Sequence, residues 1–218
     1  MLKLQTNFTH MIQTKHLKFS YPSGMQFSFP DLVCTAQNTL LITGGSGKGK
    51  TTLLHLLGGL LVPTEGSILI DQQEISKMET NKLDFFRGKN IGFVLQQNHF
   101  VASVSVLENV MLASWLSQGK LNKEKAKLLL EQLGLADQIN KLPSELSVGQ
   151  QQRVSIARAV INEPKLLLAD EPTSSLDDEN ALIVSNLLQE VAKQYHAALV
   201  IVTHDQRLKN IFENQTSL

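Results

Sequence analysis

Gly44-Gly45-Ser46-Gly47-Lys48-Gly49-Lys50-Thr51 is the stretch that decides the fold of this chain. It fits the spacing G-x-x-x-x-G-K-[ST], with Gly44, Gly49, Lys50 and Thr51 in the fixed places. An apolar run, Thr39 to Thr43, stands before it, and a segment of helical composition, Thr51 to Leu57, follows. That order predicts strand, tight loop and helix. Glycines let the backbone curl until several N–H groups face one anion. The helix start adds its unpaired N–H groups and the positive end of its dipole. Lys50 supplies a point charge for terminal phosphates, and the Thr51 hydroxyl is a ligand for Mg²⁺. The candidate phosphate-binding residues are Gly44, Gly45, Ser46, Gly47, Lys48, Gly49, Lys50, Thr51 and Thr52. Taken alone, a plain glycine-rich turn before a helix competes with this reading.

Composition limits what surrounds the loop. The 218 residues suit one large domain or one domain with an insert, and a 42% hydrophobic share is enough for a real core. Lys+Arg and Asp+Glu are 20 each, which argues against a general nucleic-acid binder. The lone cysteine, Cys34, excludes an internal disulfide and fits a reducing compartment. Met1 to Phe8 lacks the apolar core of a signal peptide. The greasiest window, Leu53 to Val62, is interrupted by His55 and two glycines and falls short of the ~18 apolar residues of a membrane span.

The rest of the chain reads as strands and helices in alternation around one irregular region. His16 to Phe29 alternates roughly and holds the turn signal Tyr21-Pro-Ser-Gly24, so a β-hairpin is expected. Thr39–Thr43, Ser67–Ile70, Ile91–Leu95, Leu166–Ala169 and Ala197–Val202 read as strands, most of them short, continuous and apolar as buried parallel strands are. The helix after the loop should end at Gly58-Gly59, and Lys77 to Arg87 suits a short helix. Between Gln97 and about Ile161 no strong strand is visible. Glu108–Leu116 and Asn122–Leu133 have helical spacing, with Asn122 as N-cap and Gly134 as stop, so this is a helical insert. Asp177-Asp178 can cap the helix whose apolar residues are Leu182, Leu187, Leu188 and Val191.

In an open α/β sheet, ligands bind beyond the carboxyl ends of the strands. Gln96, Asp170, Glu171 and His204 each follow an apolar strand and can converge with Lys50 and Thr51 on one site. A carboxylate at Asp170 suits Mg²⁺ held through water, and Glu171 beside it can polarise an attacking water. Two acids capping a turn would give the same local pattern, and His204 alone would be an ordinary surface histidine. Tyr21 alone is equally a hairpin aromatic or a platform for a base.

In their joint order these motifs resemble the ATP-binding-cassette ATPases over nearly the whole chain. Gly44–Thr51 matches the Walker A motif, Gln96 the Q-loop glutamine, and Leu146-Ser-Val-Gly-Gln150 the signature LSGGQ. Leu167–Glu171 matches Walker B with its glutamate, Ser174-Ser-Leu-Asp177 the D-loop, His204 the switch histidine, and Tyr21 the place of the adenine-stacking aromatic. The signature is the most discriminating, because other phosphate-loop proteins lack it. The resemblance implies a phosphate-loop NTPase core with a mainly parallel sheet, a small N-terminal antiparallel β subdomain and the helical insert. All would form one nucleotide-binding domain over 1–218, with the insert at about 97–161.

It further implies an ATPase with ATP and Mg²⁺ as cofactors. Glu171, His204, Gln96 and Lys50 would be catalytic, and Thr51, Gln96 and Asp170 would serve the metal. Two copies would close head to tail around two Mg-ATP, with Ser147, Gly149 and Gln150 of one copy completing the other's site and Asp177 linking the sites. Val148 departs from the usual glycine, and Lys48 stands where a small residue is common. Without a membrane span, transport would require separate integral membrane subunits. The chain would then sit at the cytoplasmic side of the inner membrane and bind no nucleic acid. Phe100, Val104, Val106, Val110 and Trp115 would be either the insert's own core or a groove for a membrane-subunit helix. Ile91 to Leu112 resembles the lipoprotein-release, macrolide-export and cell-division branch. The alternative is the ATPase of a non-transporting mechanotransmission complex controlling a cell-envelope enzyme; a soluble cassette without a membrane partner is disfavoured, because repair types carry long coiled coils and translation types two cassettes with a basic linker.

Overall fold

The structure, a computed structural model, describes residues 10–218. The Met1 to Phe8 stretch lies outside the described residues. The chain first lays down an antiparallel sheet around one long strand, β1 (His10–Ser20). β1 pairs with β2 (Gln26–Ser28), β3 (Val33–Thr35) and, after the phosphate loop, β5 (Glu65–Ile70). The β1–β2 turn is the expected hairpin, with the Tyr21 N–H donating to Met25 O at 2.8 Å. β1 bulges where His16 takes a positive φ of 50°. Gly66 of β5 runs under this bulge, and a Cβ there would sit 2.5 Å from the Lys15 and His16 carbonyl oxygens. That close approach, together with a φ of +90°, accounts for glycine at position 66.

The second sheet is parallel throughout. β4 (Thr39–Thr43), β7 (Ile91–Val94), β8 (Leu166–Asp170), β9 (Ala198–Thr203) and β10 (Gln215–Ser217) lie in the order β10-β4-β9-β8-β7. Every residue of β8 and β9 is buried, which explains their unbroken apolar runs. Alternate residues serve opposite faces. Leu40, Ile42, Leu166, Leu168, Val200 and Val202 pack with α1 (Lys50–Leu57) and the antiparallel sheet. Leu41, Leu167, Ala169, Leu199 and Ile201 face the other way. There they meet α5 (Val148–Val160) and α6 (Asp178–Gln194). Truncating any of these leucines to alanine would cost about 2–5 kcal/mol.

Between Val94 and Leu166 the described residues contain no strand. α3 (Val106–Gln118) starts at a Ser105/Glu108 capping box, and α4 (Lys123–Gln132) starts at Asn122, whose side chain accepts from the Lys125 N–H. The apolar residues of this stretch divide. Val106 and Val110 are fully buried in the core, whereas Trp115 and Leu116 are exposed.

The fold class read from the sequence holds, with corrections at element level. The expected Ser67–Ile70 strand does not stand alone: Asp71 and Gln72 both take positive φ in a tight hairpin that leads into β6 (Gln73–Glu74). α2 (Thr80–Asn90) begins three residues later than expected. β3, β6 and β10, and the short α7 (Gln206–Lys209), gave no usable pattern because two to four residues carry no periodicity.

Candidate nucleotide site

Parallel register places the site. Thr43 pairs with Thr203, and Asp170 with Val202, so β4, β8 and β9 end together at one edge. The phosphate loop leaves β4 at this edge and enters α1 at Lys50, with Gly47 and Gly49 at φ of 78° and 89°. Gly49 is also held by contact. A Cβ there would fall 2.6 Å from the Phe27 ring, so the loop packs directly on the hairpin. The Lys50 ammonium donates to Gly44 O at 2.8 Å and Gly45 O at 3.1 Å, which keeps its charge across the mouth of the loop.

A cavity of about 490 Å³ opens over this loop. It is lined by Tyr21, Met25, Phe27, Ser46, Gly47, Gly49, Lys50, Thr51, Thr52, Gln96, Glu171 and His204. Residues far apart in sequence are thus gathered on one wall. The Tyr21 ring lies edge-on to Phe19, with centroids 4.7 Å apart, and its hydroxyl is 3.0 Å from Thr52 Oγ1. Gly44, Gly45 and Lys48 do not line the cavity. Lys48 is a solvated charge.

Asp170 and Glu171 are neighbours with different surroundings. Asp170 ends β8 and is buried. Burial pushes its pKa up, against the Thr51 hydroxyl that hydrogen-bonds it and the nearby His55 and Lys50 charges. Glu171 takes a left-handed φ of 46°, costly for a residue with a Cβ, and so turns its side chain toward β9. There Oε2 accepts from the Thr203 hydroxyl at 2.7 Å, and the His204 N–H donates at 3.1 Å to Oε1. The His204 Nδ1 is 2.7 Å from Oε1. A carboxylate fixed by a hydroxyl and a backbone N–H cannot wander among rotamers.

Thr51, Gln96 and Asp170 offer a hydroxyl, an amide oxygen and a carboxylate. The described residues contain no cluster of three or more His, Cys, Asp or Glu able to cage an ion. This sparse, all-oxygen set fits Mg²⁺, which keeps several waters and takes few protein ligands beside substrate phosphates.

Ser147, Gly149 and Gln150 are elsewhere. Ser147 caps α5, accepting from the Gln150 N–H at 3.3 Å, while Gln150 Oε1 accepts from the Ser147 N–H at 3.0 Å. None of the three lines the cavity over the phosphate loop. Val148 occupies the first helical position, 53% exposed, without disturbing this cap. Asp177 caps α6, accepting from the Asn180 N–H at 2.8 Å. Thr203, Asp205 and Thr173 around Glu171 were missed from the sequence, since lone hydroxyls and acids carry no motif. The neighbour of His204 was the one available signal.

Comparison with known proteins settles the family. The ABC transporter family model matches residues 30–174. The chain belongs to the ABC transporter ATPase family. This cassette is 46% identical over 168 residues to the lipoprotein-releasing system ATP-binding protein LolD of Buchnera aphidicola subsp. Schizaphis graminum, covering 76% of the cassette and 73% of that relative. It is 36% identical over 215 residues to LolD of Shewanella frigidimarina, covering 95% and 90%. Among solved structures it superposes on the dimeric post-hydrolysis state of the ATP-binding cassette MJ0796 bound to ADP and Pi. That match has a TM-score of 0.84 and 32% identity, covering 95% and 94% of the two chains. As a member of this family the cassette binds and hydrolyses ATP.

Proposed function

We propose that this ABC ATPase works as a head-to-tail pair around two Mg-ATP and drives integral membrane subunits that release lipoproteins. The observation carrying the reading is the division of the motif residues. Lys50, Thr51, Gln96, Glu171 and His204 meet in one cavity, while Ser147, Gly149 and Gln150 present a helix start on a separate surface. A second copy would bring that helix start, with its free N–H groups, to the γ-phosphate. The relative MJ0796 is described as dimeric, which supports the pairing.

In the proposed reaction Tyr21 stacks on the adenine, the loop N–H groups from Gly45 to Thr52 hold the phosphates, and Lys50 leaves its carbonyl partners for the β- and γ-oxygens. Thr51, Asp170 and Gln96 would hold Mg²⁺, which when bound neutralises developing charge on the phosphate oxygens. Glu171 orients a water and accepts its proton as the water oxygen bonds the γ-phosphorus. The bond from that phosphorus to the bridging oxygen breaks, leaving ADP and phosphate. His204, its Nδ1 turned to Glu171, leaves Nε2 for the γ-phosphate.

No described helix is long and apolar enough to cross a membrane, so the work would be passed to other chains. A cavity of about 720 Å³ between the sheet edge and α3, lined by Leu60, Phe85, Phe93, Leu95, Leu116 and Arg158 among others, suits a short apolar helix of a membrane subunit. The cassette would thus sit on the cytoplasmic face of the inner membrane. Lipoprotein release is favoured by the similarity to the lipoprotein-releasing LolD proteins of Buchnera and Shewanella.

The test is a pull-down of tagged Glu171→Gln protein with ATP-Mg²⁺ from detergent-solubilised native membranes. The reading expects a multi-span partner with a large extracytoplasmic domain and co-purifying lipoprotein. A membrane partner bound to a cell-wall enzyme, or soluble proteins alone, would contradict it.

A further inference from the structure

The loop after Glu171 is tied back to Glu171 by a ring of hydrogen bonds. The Thr203 hydroxyl donates to Glu171 Oε2 at 2.7 Å and accepts from the Asp205 N–H at 2.9 Å. The Asp205 carboxylate accepts from the Thr173 hydroxyl at 2.7 Å and from Arg207 Nη2 at 2.7 Å and Nε at 2.9 Å. The other edge of the same guanidinium donates to Leu176 O at 3.2 Å and Asp178 Oδ1 at 2.7 Å, and Nη2 also reaches Thr173 O at 3.2 Å. Arg207 therefore spans the whole 173–178 segment while holding the residue next to His204.

We infer that Arg207 is a positioning residue for ATP hydrolysis: it binds the 173–178 loop to the Thr203–Asp205 turn and so sets the direction of the Glu171 carboxylate. The inference rests on the reading of Glu171 as base. A guanidinium is planar, with five donors in a fixed fork, and can grip a carboxylate and two carbonyls at once. A lysine at 207 keeps the charge but loses the fork. The Asp205 side chain is only 10% exposed, so water competes poorly for its bonds. Displacement of the loop, which carries Asp177 toward the second copy in the proposed pair, is passed through Arg207 and Asp205 to the Thr203 hydroxyl. The end of that relay is the oxygen that must face the attacking water. None of the motifs includes position 207, which is why its part is visible only in the fold.

The experiment compares turnover and monomer nucleotide affinity in the full chain for Arg207→Ala, Arg207→Lys and Glu171→Gln, and repeats Arg207→Ala in a Thr203→Val background. Arg207→Ala is expected to lower kcat about tenfold while nucleotide affinity stays within twofold. In the Thr203→Val background the same change should lower kcat less than twofold, because the relay is already cut. Arg207→Lys should lower kcat at least threefold, which keeps the test valid if the alanine variant does not fold. Turnover unchanged in both Arg207 variants, equal loss of affinity and turnover, or the same kcat factor in both Thr203 backgrounds would overturn the inference. Full turnover in Glu171→Gln would overturn the base reading and the inference with it. Loss in Glu171→Gln beside full turnover in Arg207→Ala would overturn the inference alone.

Discussion

Gly149 and Asn180 meet so closely that a Cβ on the glycine would stand 3.1 Å from Asn180 Oδ1. Asn180 is in turn held by both carboxylate oxygens of Asp177. The signature helix and the cap of α6 are thus packed backbone against side chain. Gly149→Ala should shift the Asn180 amide, loosen its bonds to Asp177 and lower ATP turnover with monomer nucleotide affinity unchanged. Steady-state hydrolysis beside equilibrium binding checks it. If Asn180→Ala restores turnover in the Gly149→Ala protein, crowding is the cause.

Ser147 separates cap from catalysis. Its hydroxyl accepts one helix-start N–H in the single copy and would face the γ-phosphate of the other. Ser147→Ala should cost about 1 kcal/mol of stability through the lost cap. Its loss of turnover should be at least tenfold and should exceed any loss of monomer ATP binding. Equal losses of binding and turnover would argue against a shared site.

Lys50→Ala removes the ammonium that lies over Gly44 and Gly45. Nucleotide affinity should drop at least tenfold and turnover to background, while the melting temperature without nucleotide should hold to within a few degrees, because the charge is replaced by solvent at an open cavity. Normal hydrolysis by this variant would remove the phosphate loop from the account.

How much of this could be read from the chain depended on the length of the signal. The phosphate loop was legible because its glycines, Lys50 and Thr51 stand at a fixed spacing, and β8 and β9 because burial on both faces leaves an unbroken apolar run that ends in the functional residue. Position 148 departs from the usual glycine of the signature, and the fold sets Val148 exposed at the first position of α5 with the Ser147–Gln150 cap formed. The clamp on Glu171 was not legible, because Thr203 and Asp205 act by register and by a left-handed turn at Glu171, which no local pattern announces. From local pattern alone the antiparallel sheet was legible as its first hairpin and the Ser67–Ile70 strand, since β3 and β6 are held by pairing to longer strands rather than by their own sequence.

Cys34 supplies a check on the core independent of nucleotide. It is buried in the cluster under β1 and β4, and burial pushes its thiol up to about 12. A raised folded pKa gives stability that is whole below the unfolded value of about 8.5 and is lost as pH climbs toward the folded one. Thiol labelling at pH 8 should be at least a hundredfold slower in the native protein than in denaturant, and stability should fall between about pH 8.5 and 12. Rapid native labelling at pH 8 would contradict the packing described here.

The most direct test is the mass of the Glu171→Gln protein in solution with ATP and Mg²⁺, measured by sedimentation velocity. A glutamine with its oxygen at the Oε2 position keeps an acceptor for the Thr203 hydroxyl, 2.7 Å away, and for the His204 N–H, 3.3 Å away, so the site geometry survives while the base is lost. The account predicts a monomer without nucleotide, a dimer with ATP-Mg²⁺, and return to monomer when Ser147→Ala and Lys50→Ala are added. A protein that binds ATP-Mg²⁺ and stays monomeric at all concentrations would contradict the shared site.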